Sequence, residues 1–433
     1  MKINELKMEV VIFYMIDTKS FEDLKKYYDD VLNKDRSTYT SSNDEPTPID
    51  CVSTMMSKIP NEFWSREDLS IFDPCCGNGN FHLPIFFKLH EHHDTKEILE
   101  NIIEFNDLNE ARLQNVSNVF CGEKYNLQVS CVDFLTKETD KRYDLIVANP
   151  PYAKIMPDGK RASKNHNLIG SFIDKSLSLL KPNGYLLFIT PDNWMSYADR
   201  NVLIKKLTKL QIVHLNIHGA KKYFKKIGSS FTWYLIQNCN SYKDVEVTGI
   251  WKKREYESLV PSGIRKYIPL VYDKTVHSIL AKTVDNPNLE KFKVETSSDL
   301  HKYTKRDLIV DEKDDEHQFK LIHTPKQTVW ASRAHKYQQK YKVFISTTDK
   351  YKVFVDNCGM TQSIAFIRCS SKKKAIEFMK MLEHPLYVFI NNICRWGNFN
   401  NIRILQNFPI STTENPYECF GITEEEQKFI AEN

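Results

Sequence analysis

An apolar run that ends in Asn-Pro-Pro-Tyr constrains this chain more than any other stretch. Tyr143–Ala148 is short and mostly apolar, which is typical of a strand buried in a parallel sheet. Asn149-Pro150-Pro151-Tyr152 follows at once, beyond the carboxyl end of the strand, where open α/β sheets bind ligands. The prolines fix the backbone and remove two N–H donors, so the Asn149 amide oxygen and the Pro150 carbonyl stay free to accept hydrogen bonds. Two acceptors beside a tyrosine ring suit a planar group with an exocyclic NH₂, although a proline-stiffened turn closed by a packed tyrosine is the structural alternative.

A glycine-rich turn follows an earlier apolar run. Ile71-Phe72 leads into the segment Asp73-Pro-Cys-Cys-Gly-Asn-Gly-Asn-Phe81. Gly77 and Gly79 allow a tight turn and the close approach of a ligand. The spacing lacks the third glycine of a dinucleotide loop, and the Asp73 carboxylate can hold an ammonium group directly or through water. The turn therefore predicts a site for the amino-acid end of a cofactor rather than for a pyrophosphate.

Length and composition indicate a two-domain globular protein. The chain has 433 residues, of which 41% are hydrophobic and 27% are charged. Its net charge of +4 is too small to indicate a polyanionic partner by itself. The ten cysteines show no zinc-ligand spacing, which favours a reduced, cytoplasmic protein without a metal site. The apolar run Val10–Ile16 is too short to cross a bilayer, so we expect no membrane partner.

The glycine loop followed by N-P-P-Y resembles the γ class of DNA adenine-N6 methyltransferases, most of which are restriction–modification enzymes. The order T-P, glycine loop, acid, D-F, N-P-P-Y and aromatic loop extends from Thr47 to about residue 240. The resemblance implies an α/β, Rossmann-like class I S-adenosylmethionine-dependent methyltransferase domain, with a mostly parallel seven-stranded sheet and a reversed final hairpin. A C-terminal α+β target-recognition domain would follow. The predicted segments are an N-terminal extension (1–46), the catalytic domain (47–247) and the recognition domain (248–433).

The resemblance also assigns a cofactor pocket for S-adenosylmethionine. An acid at the tip of the second strand would hold the ribose hydroxyls; Asp107 is the choice, with Glu104 as the alternative if the register differs. Leu108 would pack on the adenine ring, Asp133 would accept from its amino group, and Phe134 would cover it. Thr47 would contact the cofactor carboxylate, although a plain helix cap is the alternative. The predicted cofactor-binding residues are Thr47, Asp73, Cys75, Gly77, Gly79, Asp107, Leu108, Asp133, Phe134, Asn149 and Pro151.

For the chemistry, the resemblance implies methyl transfer to an adenine that has left the duplex. Asn149 and Pro150 would hold the amine, and Tyr152 would stack on the base. A second aromatic is expected from the Lys-rich loop after the core strands, where exposure is more natural than burial. Phe224 is the choice and Phe231 the alternative. The predicted catalytic residues are Asn149, Pro150, Tyr152 and Phe224.

Basic residues interleaved with aromatics after about residue 248 favour a DNA-reading domain. We expect double-stranded DNA as the partner, a separate cognate restriction endonuclease, and a monomer or weak dimer. Alternatives are a protein-glutamine methyltransferase, an RNA methyltransferase, or a catalytically inert DNA-specificity protein. The predicted DNA-binding residues are Lys154, Lys225, Arg333, Lys336, Arg395 and Trp396.

Overall fold

The chain forms two compact units. The first comprises the chain up to Asp192 together with Lys205–Ile264, and the second comprises Asn193–Ile204 together with Arg265–Asn433. The chain therefore enters the second unit briefly, returns to the first and then completes the second. The computed structural model describes residues 15–39, 45–152, 168–224, 230–240 and 242–433.

A nine-stranded sheet forms the centre of the first unit, in the order β3-β2-β1-β4-β5-β7-β6-β8-β9. Strands β1 to β5 pair in parallel, and β7 runs antiparallel between β5 and β6. The predicted α/β fold with a reversed hairpin is thus confirmed. The strands are β1 (Ile71–Asp73), β2 (Ile103–Asn106), β3 (Gln128–Ser130), β4 (Tyr143–Ala148), β5 (Leu180–Pro191), β6 (Gln211–Ile217), β7 (Phe231–Gln237), β8 (Val245–Trp251) and β9 (Arg254–Val260).

Strand β4 brings the Asn-Pro-Pro-Tyr segment to the carboxyl edge of this sheet. All six of its residues are buried, as its apolar sequence predicts. Its one acid, Asp144, accepts from the Lys181 ammonium at 2.6 Å and from the Ser70 N–H at 3.0 Å, and it pairs with Arg66. The buried charge is therefore matched by cations and a backbone donor, which keeps a charged residue compatible with a central strand.

The sheet has two more strands than predicted, because β8 and β9 extend it past β6. Strand β8 pairs in parallel with β6, and β9 pairs antiparallel with β8. Thr248 on β8 contacts two polar side chains of β6: Asn216 Nδ2 donates to its hydroxyl at 2.8 Å, and His214 Nε2 lies 2.9 Å from it. The division after Ile264 consequently differs from the predicted boundary at 247/248.

Helices of the first unit cover the sheet with apolar faces. The helical segment after the glycine loop is interrupted: α4 ends at Leu89, and a short helix begins after Asp94, whose side chain accepts the Glu97 N–H at 2.9 Å. The helices are α1 (Met15–Thr18), α2 (Phe21–Tyr27), α3 (Ile49–Met56), α4 (His82–Leu89), α5 (Thr95–Glu97), α6 (Glu110–Val119) and α7 (Ile169–Leu179), followed by α8 (Val202–Leu207), which crosses into this unit from the second.

The second unit contains two four-stranded sheets, in the orders β10-β17-β14-β15 and β11-β13-β12-β16. The strands are β10 (Val294–Glu295), β11 (Ile309–Val310), β12 (Phe319–Thr324), β13 (Gln327–Ala331), β14 (Lys342–Ser346), β15 (Val353–Asp356), β16 (Gly359–Met360) and β17 (Ile364–Arg368). The helices are α9 (Lys274–Lys282), α10 (Lys372–Leu382), α11 (Pro385–Ile393), α12 (Ile402–Leu405), α13 (Pro416–Cys419) and α14 (Glu424–Glu432). Among the residues that the structure describes, no helix has the length and apolarity needed to cross a membrane.

Candidate active site

The side-chain amide of Asn149 is held from both ends. Its Nδ2 donates to the Thr47 hydroxyl at 3.1 Å and to the Glu45 carbonyl at 3.5 Å. Its Oδ1 accepts from the Tyr152 hydroxyl at 2.8 Å. Because an amide oxygen has two lone pairs, this contact leaves a second acceptor direction on Oδ1. Asn149 and Tyr152 are half-buried, Pro150 is buried and Pro151 is exposed. The amide and the ring therefore lie at the boundary between the protein interior and solvent.

Thr47 does not cap the helix that follows it. The residue at the cap position of α3 is Pro48, and it makes no side-chain capping bond. The Thr47 hydroxyl instead accepts from Asn149, while its carbonyl accepts from Asn80 Nδ2 at 2.9 Å. A hydroxyl that accepts in this way keeps its own proton to donate to another group. Thr47 thus links the Asn149 amide to the glycine loop, which argues against the alternative of a plain cap, and its contact with the cofactor carboxylate stays a prediction.

The glycine loop turns tightly against the end of β2. Gly77 and Gly79 have φ angles of +56° and +85°, which favour glycine. The Gly77 N–H donates to Asp107 Oδ2 at 2.8 Å, and the Cys76 N–H donates to the Asn106 carbonyl at 2.8 Å. A Cβ on Gly79 would lie 3.1 Å from the Phe120 ring, whereas one on Gly77 would meet open space. The loop is therefore packed on one side and open on the other.

Asp73 carries an unsatisfied acceptor in this pocket. The side chain is 1% exposed, and Oδ1 accepts from the Cys75 N–H at 3.0 Å. Oδ2 is buried and has no hydrogen-bond partner among the described residues. Burial, together with the nearby Asp107 carboxylate, raises the pKa of Asp73 well above its usual range. An ammonium group placed here would satisfy the oxygen and offset the cost of the buried charge.

Asp107 and Leu108 stand together at the carboxyl end of β2. Asp107 is buried and accepts from the Asn109 N–H at 2.9 Å through Oδ1, in addition to the Gly77 N–H. Leu108 is 69% exposed, so an apolar side chain lies open to solvent beside the acid. The alternative acid, Glu104, lies within β2 and is engaged by Lys141 at 2.8 Å and by other side chains. The structure thus makes Asp107, and not Glu104, the acid at the strand tip.

The D-F pair is divided between surface and core. Asp133 is exposed, and its Oδ1 accepts from the Leu135 N–H at 2.9 Å. Phe134 is 2% exposed, and its ring packs against Phe72 and Phe172 at centroid distances of 5.8 and 5.3 Å. The predicted covering of a cofactor ring by Phe134 therefore disagrees with its position, because its faces are occupied by core aromatics.

A row of aromatic rings begins at Tyr152. The Tyr152 ring centroid lies 6.0 Å from that of Phe231, which lies 5.0 Å from that of Phe224. Phe231 is 4% exposed and Phe224 is 5% exposed. The predicted exposure of Phe224 is therefore wrong, because the side chain packs into the core of the first unit. Lys154 and Lys225 lie outside the described residues.

The other predicted DNA-binding residues form two groups in the second unit. Arg333 Nη2 donates to Asp299 Oδ1 at 2.9 Å, and the Lys336 N–H donates to Asp299 Oδ2 at 3.0 Å. Arg395 Nη2 donates to the Asn398 carbonyl and Trp396 Nε1 to the Ile268 carbonyl, both at 2.8 Å. These contacts hold the side chains of Arg333, Arg395 and Trp396 and the backbone of Lys336, and the role of all four residues in DNA binding stays a prediction.

Sequence reasoning missed Asn106, which ties three strand ends together. Its Nδ2 donates to the Pro74 carbonyl at 2.8 Å and to the Val132 carbonyl at 3.0 Å, and its Oδ1 accepts from the Ser130 hydroxyl at 2.8 Å. The side chain is fully buried. The sequence did offer a signal for this residue, because a polar side chain at the end of an apolar strand, directly before the acid at its tip, indicates a specific hydrogen-bonding role. Asn106 fixes the ends of β1, β2 and β3 around the pocket.

The strand order and the loops at the carboxyl edge define a class I methyltransferase, whose cofactor is S-adenosylmethionine. The residues present fit this cofactor: Asp73 offers a buried acceptor without a partner, Gly77 leaves open space, and Leu108 offers an exposed apolar contact beside Asp107. Within this class, residues 16–224 match the family model described as Eco57I restriction-modification methylase. Over that segment, which is just under half of the chain, the protein is similar to restriction–modification methylases.

Two curated type II methyltransferases are similar to parts of the chain. M.TthHB8I of Thermus thermophilus is 33% identical over 89 residues, which cover 16% of this chain and 21% of that protein. M.VspI of a Vibrio species is 24% identical over 184 residues, which cover 39% of this chain and 42% of that protein. The matches thus span well under half the length of either relative.

Solved structures show the same fold over most of the chain. A nuclease-deletion mutant of the type ISP restriction–modification enzyme LlaGI, in complex with a DNA substrate mimic, has a TM-score of 0.53 at 11% identity; the match covers 95% of this chain and 56% of that one. The DrdV–DNA complex has a TM-score of 0.51 at 10% identity, with 89% and 56% covered. At these identities the likeness describes the fold.

Proposed function

We propose that the protein transfers a methyl group from S-adenosylmethionine to the exocyclic N6 of adenine in double-stranded DNA. The observation that carries the proposal is the fixed Asn149 amide at the carboxyl end of β4. Thr47 and Tyr152 hold that amide in one orientation at the edge of a buried strand. The type II methyltransferases among the relatives and the DNA complexes among the solved structures support DNA as the substrate.

The chemistry needs acceptors for an unreactive amine. The lone pair of an exocyclic amine is delocalised into its ring, and S-adenosylmethionine supplies an activated methyl group when bound. Asn149 Oδ1 and the Pro150 carbonyl would accept hydrogen bonds from the two N–H groups of the amine. The lone pair of the amine nitrogen would then be directed at the methyl group. Such orientation by fixed dipoles contributes on the order of several kcal/mol to the chemical step. The amine proton is lost to solvent after transfer, so the site needs no strong base.

The target base has to leave the duplex to reach this loop. Unpairing and unstacking cost a few kcal/mol, and stacking on an aromatic ring offsets part of that cost. Tyr152 is the half-buried member of the aromatic row, so it is the ring that meets the base. Phe224 reaches the second face only after leaving its contact with Phe231, and its stacking role remains part of the proposal.

Three chemical alternatives are separated by one labelling experiment. Purified protein is incubated with methyl-labelled S-adenosylmethionine and unmethylated plasmid DNA, total RNA or a protein extract in parallel. We expect label in DNA, recovered as N6-methyladenine after digestion, and no label with the Asn149→Ala variant. Label confined to cytosine, RNA or protein would contradict the proposal, and cofactor binding without any transfer would indicate an inert DNA-specificity protein.

Partners and location follow from the same proposal. A restriction–modification methyltransferase protects DNA from a cognate endonuclease, which we propose is a separate chain. The enzyme would then act in the cytoplasm as a monomer or weak dimer. Co-expression with a neighbouring endonuclease gene, scored by survival of the host DNA, tests this part of the proposal.

A further inference from the structure

Two strongly exposed aromatic side chains lie in the second unit. Phe399 is 64% exposed and Tyr303 is 57% exposed. Tyr242, in the first unit, is another exposed aromatic, at 49%. Large rings left in water on a folded surface often mark a binding site, and more so when they share one surface with polar groups.

Hydrogen bonds link the chain segments that carry the two rings. The Lys302 N–H, next to Tyr303, donates to Gln362 Oε1 at 3.0 Å, and Gln362 Nε2 donates to the Ser363 hydroxyl at 3.2 Å. The Thr347 hydroxyl donates to the Ser363 carbonyl at 2.7 Å, and the backbone of Thr348 bridges to that of Phe399. We call this surface the aromatic–amide stripe; it consists of Tyr303, Gln362, Ser363, Thr347 and Phe399.

The loop that carries Phe399 is braced from within. Asn400 is 3% exposed, and its Nδ2 donates to the Ser346 carbonyl at 2.8 Å. Its Oδ1 accepts from Asn391 Nδ2 at 3.0 Å, and its N–H donates to the Thr347 carbonyl at 2.9 Å. A buried residue with this many partners fixes the backbone, so the exposed ring beside it is held in place rather than left on a loose loop. The cost of ordering this ring on binding is therefore largely removed beforehand.

The charges around the stripe are mixed, and one cation lies next to an exposed ring. Asp311 is paired with Lys302 at 2.6 Å, and Asp349 is paired with Lys326 at 2.6 Å. At the Tyr303 end, Arg306 is exposed and donates through Nε to the Tyr303 carbonyl at 3.2 Å. These two acids are thus matched by lysines, whereas Asp307 and Glu312 are exposed acids at the same end, and the Arg306 guanidinium lies beside an exposed ring.

We propose that the aromatic–amide stripe is the surface of the second unit that contacts base pairs of duplex DNA, an inference that rests on the proposed function. The Phe399 ring packs on base edges or wedges into a base step, as apolar side chains do in protein–DNA complexes. The Gln362 amide and the Thr347 hydroxyl supply groups that read base edges. The Gln362 amide uses one N–H and one acceptor direction within the protein, and the Thr347 hydroxyl uses its proton, so the second amide N–H and the hydroxyl lone pairs are the groups offered to base edges.

The test measures DNA binding with matched variants. Methylated positions in plasmid DNA are first mapped with the wild-type chain, and a fluorescent duplex carrying the mapped site is then titrated. We expect Phe399→Ala and Tyr303→Ala each to weaken binding by about tenfold. Phe399→Trp retains binding, and Tyr242→Ala, which removes an exposed ring outside the stripe, binds as the wild type does. The dependence of affinity on salt stays unchanged, because no phosphate contact is lost.

Sequence preference and folding give the remaining readouts. Gln362→Ala should relax the mapped target at one position, and every stripe variant should keep its unfolding temperature and cofactor affinity. Phe399→Gln, which keeps a side chain of moderate length, repeats the test in a second variant. If Phe399→Ala and Phe399→Gln both bind and methylate DNA as the wild type does, the inference is wrong while the proposed function stands. A wild-type chain that methylates no DNA overturns the proposed function and this inference with it.

Discussion

The site in the first unit and the stripe in the second unit present polar groups in opposite ways. Around Asn149 the hydrogen-bonding groups are partly or fully buried, and each is oriented by another side chain or by the backbone. Along the stripe the two rings are exposed, the polar side chains are half-buried, and the loop that carries Phe399 is fixed by Asn400. Burial strengthens electrostatic interactions and makes them sensitive to small displacements, whereas exposure allows a surface to meet varied sequences. Under the proposed function, the first region would serve the chemistry and the second would read the DNA sequence.

The largest expected effect comes from Asn149→Ala. Loss of the acceptor should lower kcat by about 100-fold to 1,000-fold, as for other single fixed groups that stabilise a transition state. Cofactor affinity, measured by calorimetric titration, should change far less. Tyr152→Phe is the control, since it keeps the stacking ring and removes only the hydroxyl that donates to Asn149. Equal losses of cofactor binding and turnover in Asn149→Ala would mean that the residue is structural.

Asp73→Asn should separate binding from stability. The amide removes the buried charge and weakens binding of S-adenosylmethionine by about 10-fold to 100-fold, the range for a charge-assisted hydrogen bond. The ligand-free variant should unfold at a higher temperature than the wild type, because Oδ2 has no partner among the described residues. Glu104→Gln, at an acid that is matched by lysines, should instead lower the unfolding temperature.

The wild type and Asp73→Asn also give a test of how stability depends on pH, with a defined direction. The pKa of Asp73 is raised on folding, so the folded chain holds that proton more tightly than the unfolded chain does. The ligand-free wild type should therefore lose stability as pH rises above the unfolded value of about 3.9 and through the higher folded value. The difference in unfolding temperature between wild type and Asp73→Asn should grow over that range. A difference independent of pH would show that Asp73 is not the titrating group.

Thr47→Val should have an intermediate effect on turnover. The valine keeps the volume but removes the acceptor for Asn149 Nδ2, which leaves a donor unsatisfied at a cost of about 1 kcal/mol. We expect kcat to fall by about five- to tenfold. Thr47→Ser should restore most of it, because the hydroxyl returns. If only the KM for the cofactor changes, Thr47 serves the cofactor and does not position Asn149.

The smallest expected effect is that of Leu108→Ala. The side chain is exposed in the ligand-free chain, so its loss should leave the unfolding temperature unchanged. Cofactor affinity should fall by about threefold, the loss expected when roughly 25 Å² of apolar contact area is no longer buried on binding. Val129→Ala, at another exposed apolar position on the neighbouring strand, is the control and should bind the cofactor normally. Identical binding by both variants would remove Leu108 from the pocket.

The sequence predicted the fold well where the local residue pattern favoured the same structure as the contacts made in the folded protein. The apolar run Tyr143–Ala148 predicted the bounds of β4. Predictions failed where a side chain had two possible partners. The Thr47 hydroxyl was available to the helix or to Asn149, and a distant residue engaged it. The burial of Phe224 likewise depends on Phe231, which only the folded sheet brings near.

The candidate site was predictable to the extent that it is local in sequence. The glycine loop, the tip acid and Asn149 each follow a strand, so their positions at one sheet edge could be inferred. The orphaned oxygen of Asp73 and the central role of Asn106 could not, because they depend on which backbone groups other strands supply. The stripe was also beyond sequence reasoning, since its members come from four separate segments of the second unit.

The excursion of Asn193–Ile204 into the second unit has a consequence for engineering new specificities. Asn401 Nδ2 donates to the Ser196 hydroxyl at 3.2 Å and to the Tyr197 carbonyl at 3.0 Å, and Arg403 pairs with Asp199. A recognition module transplanted from a homologue at a single joint after Ile264 would arrive without these counterparts. Chimaeras should therefore exchange both pieces together, with three joints in the chain rather than one.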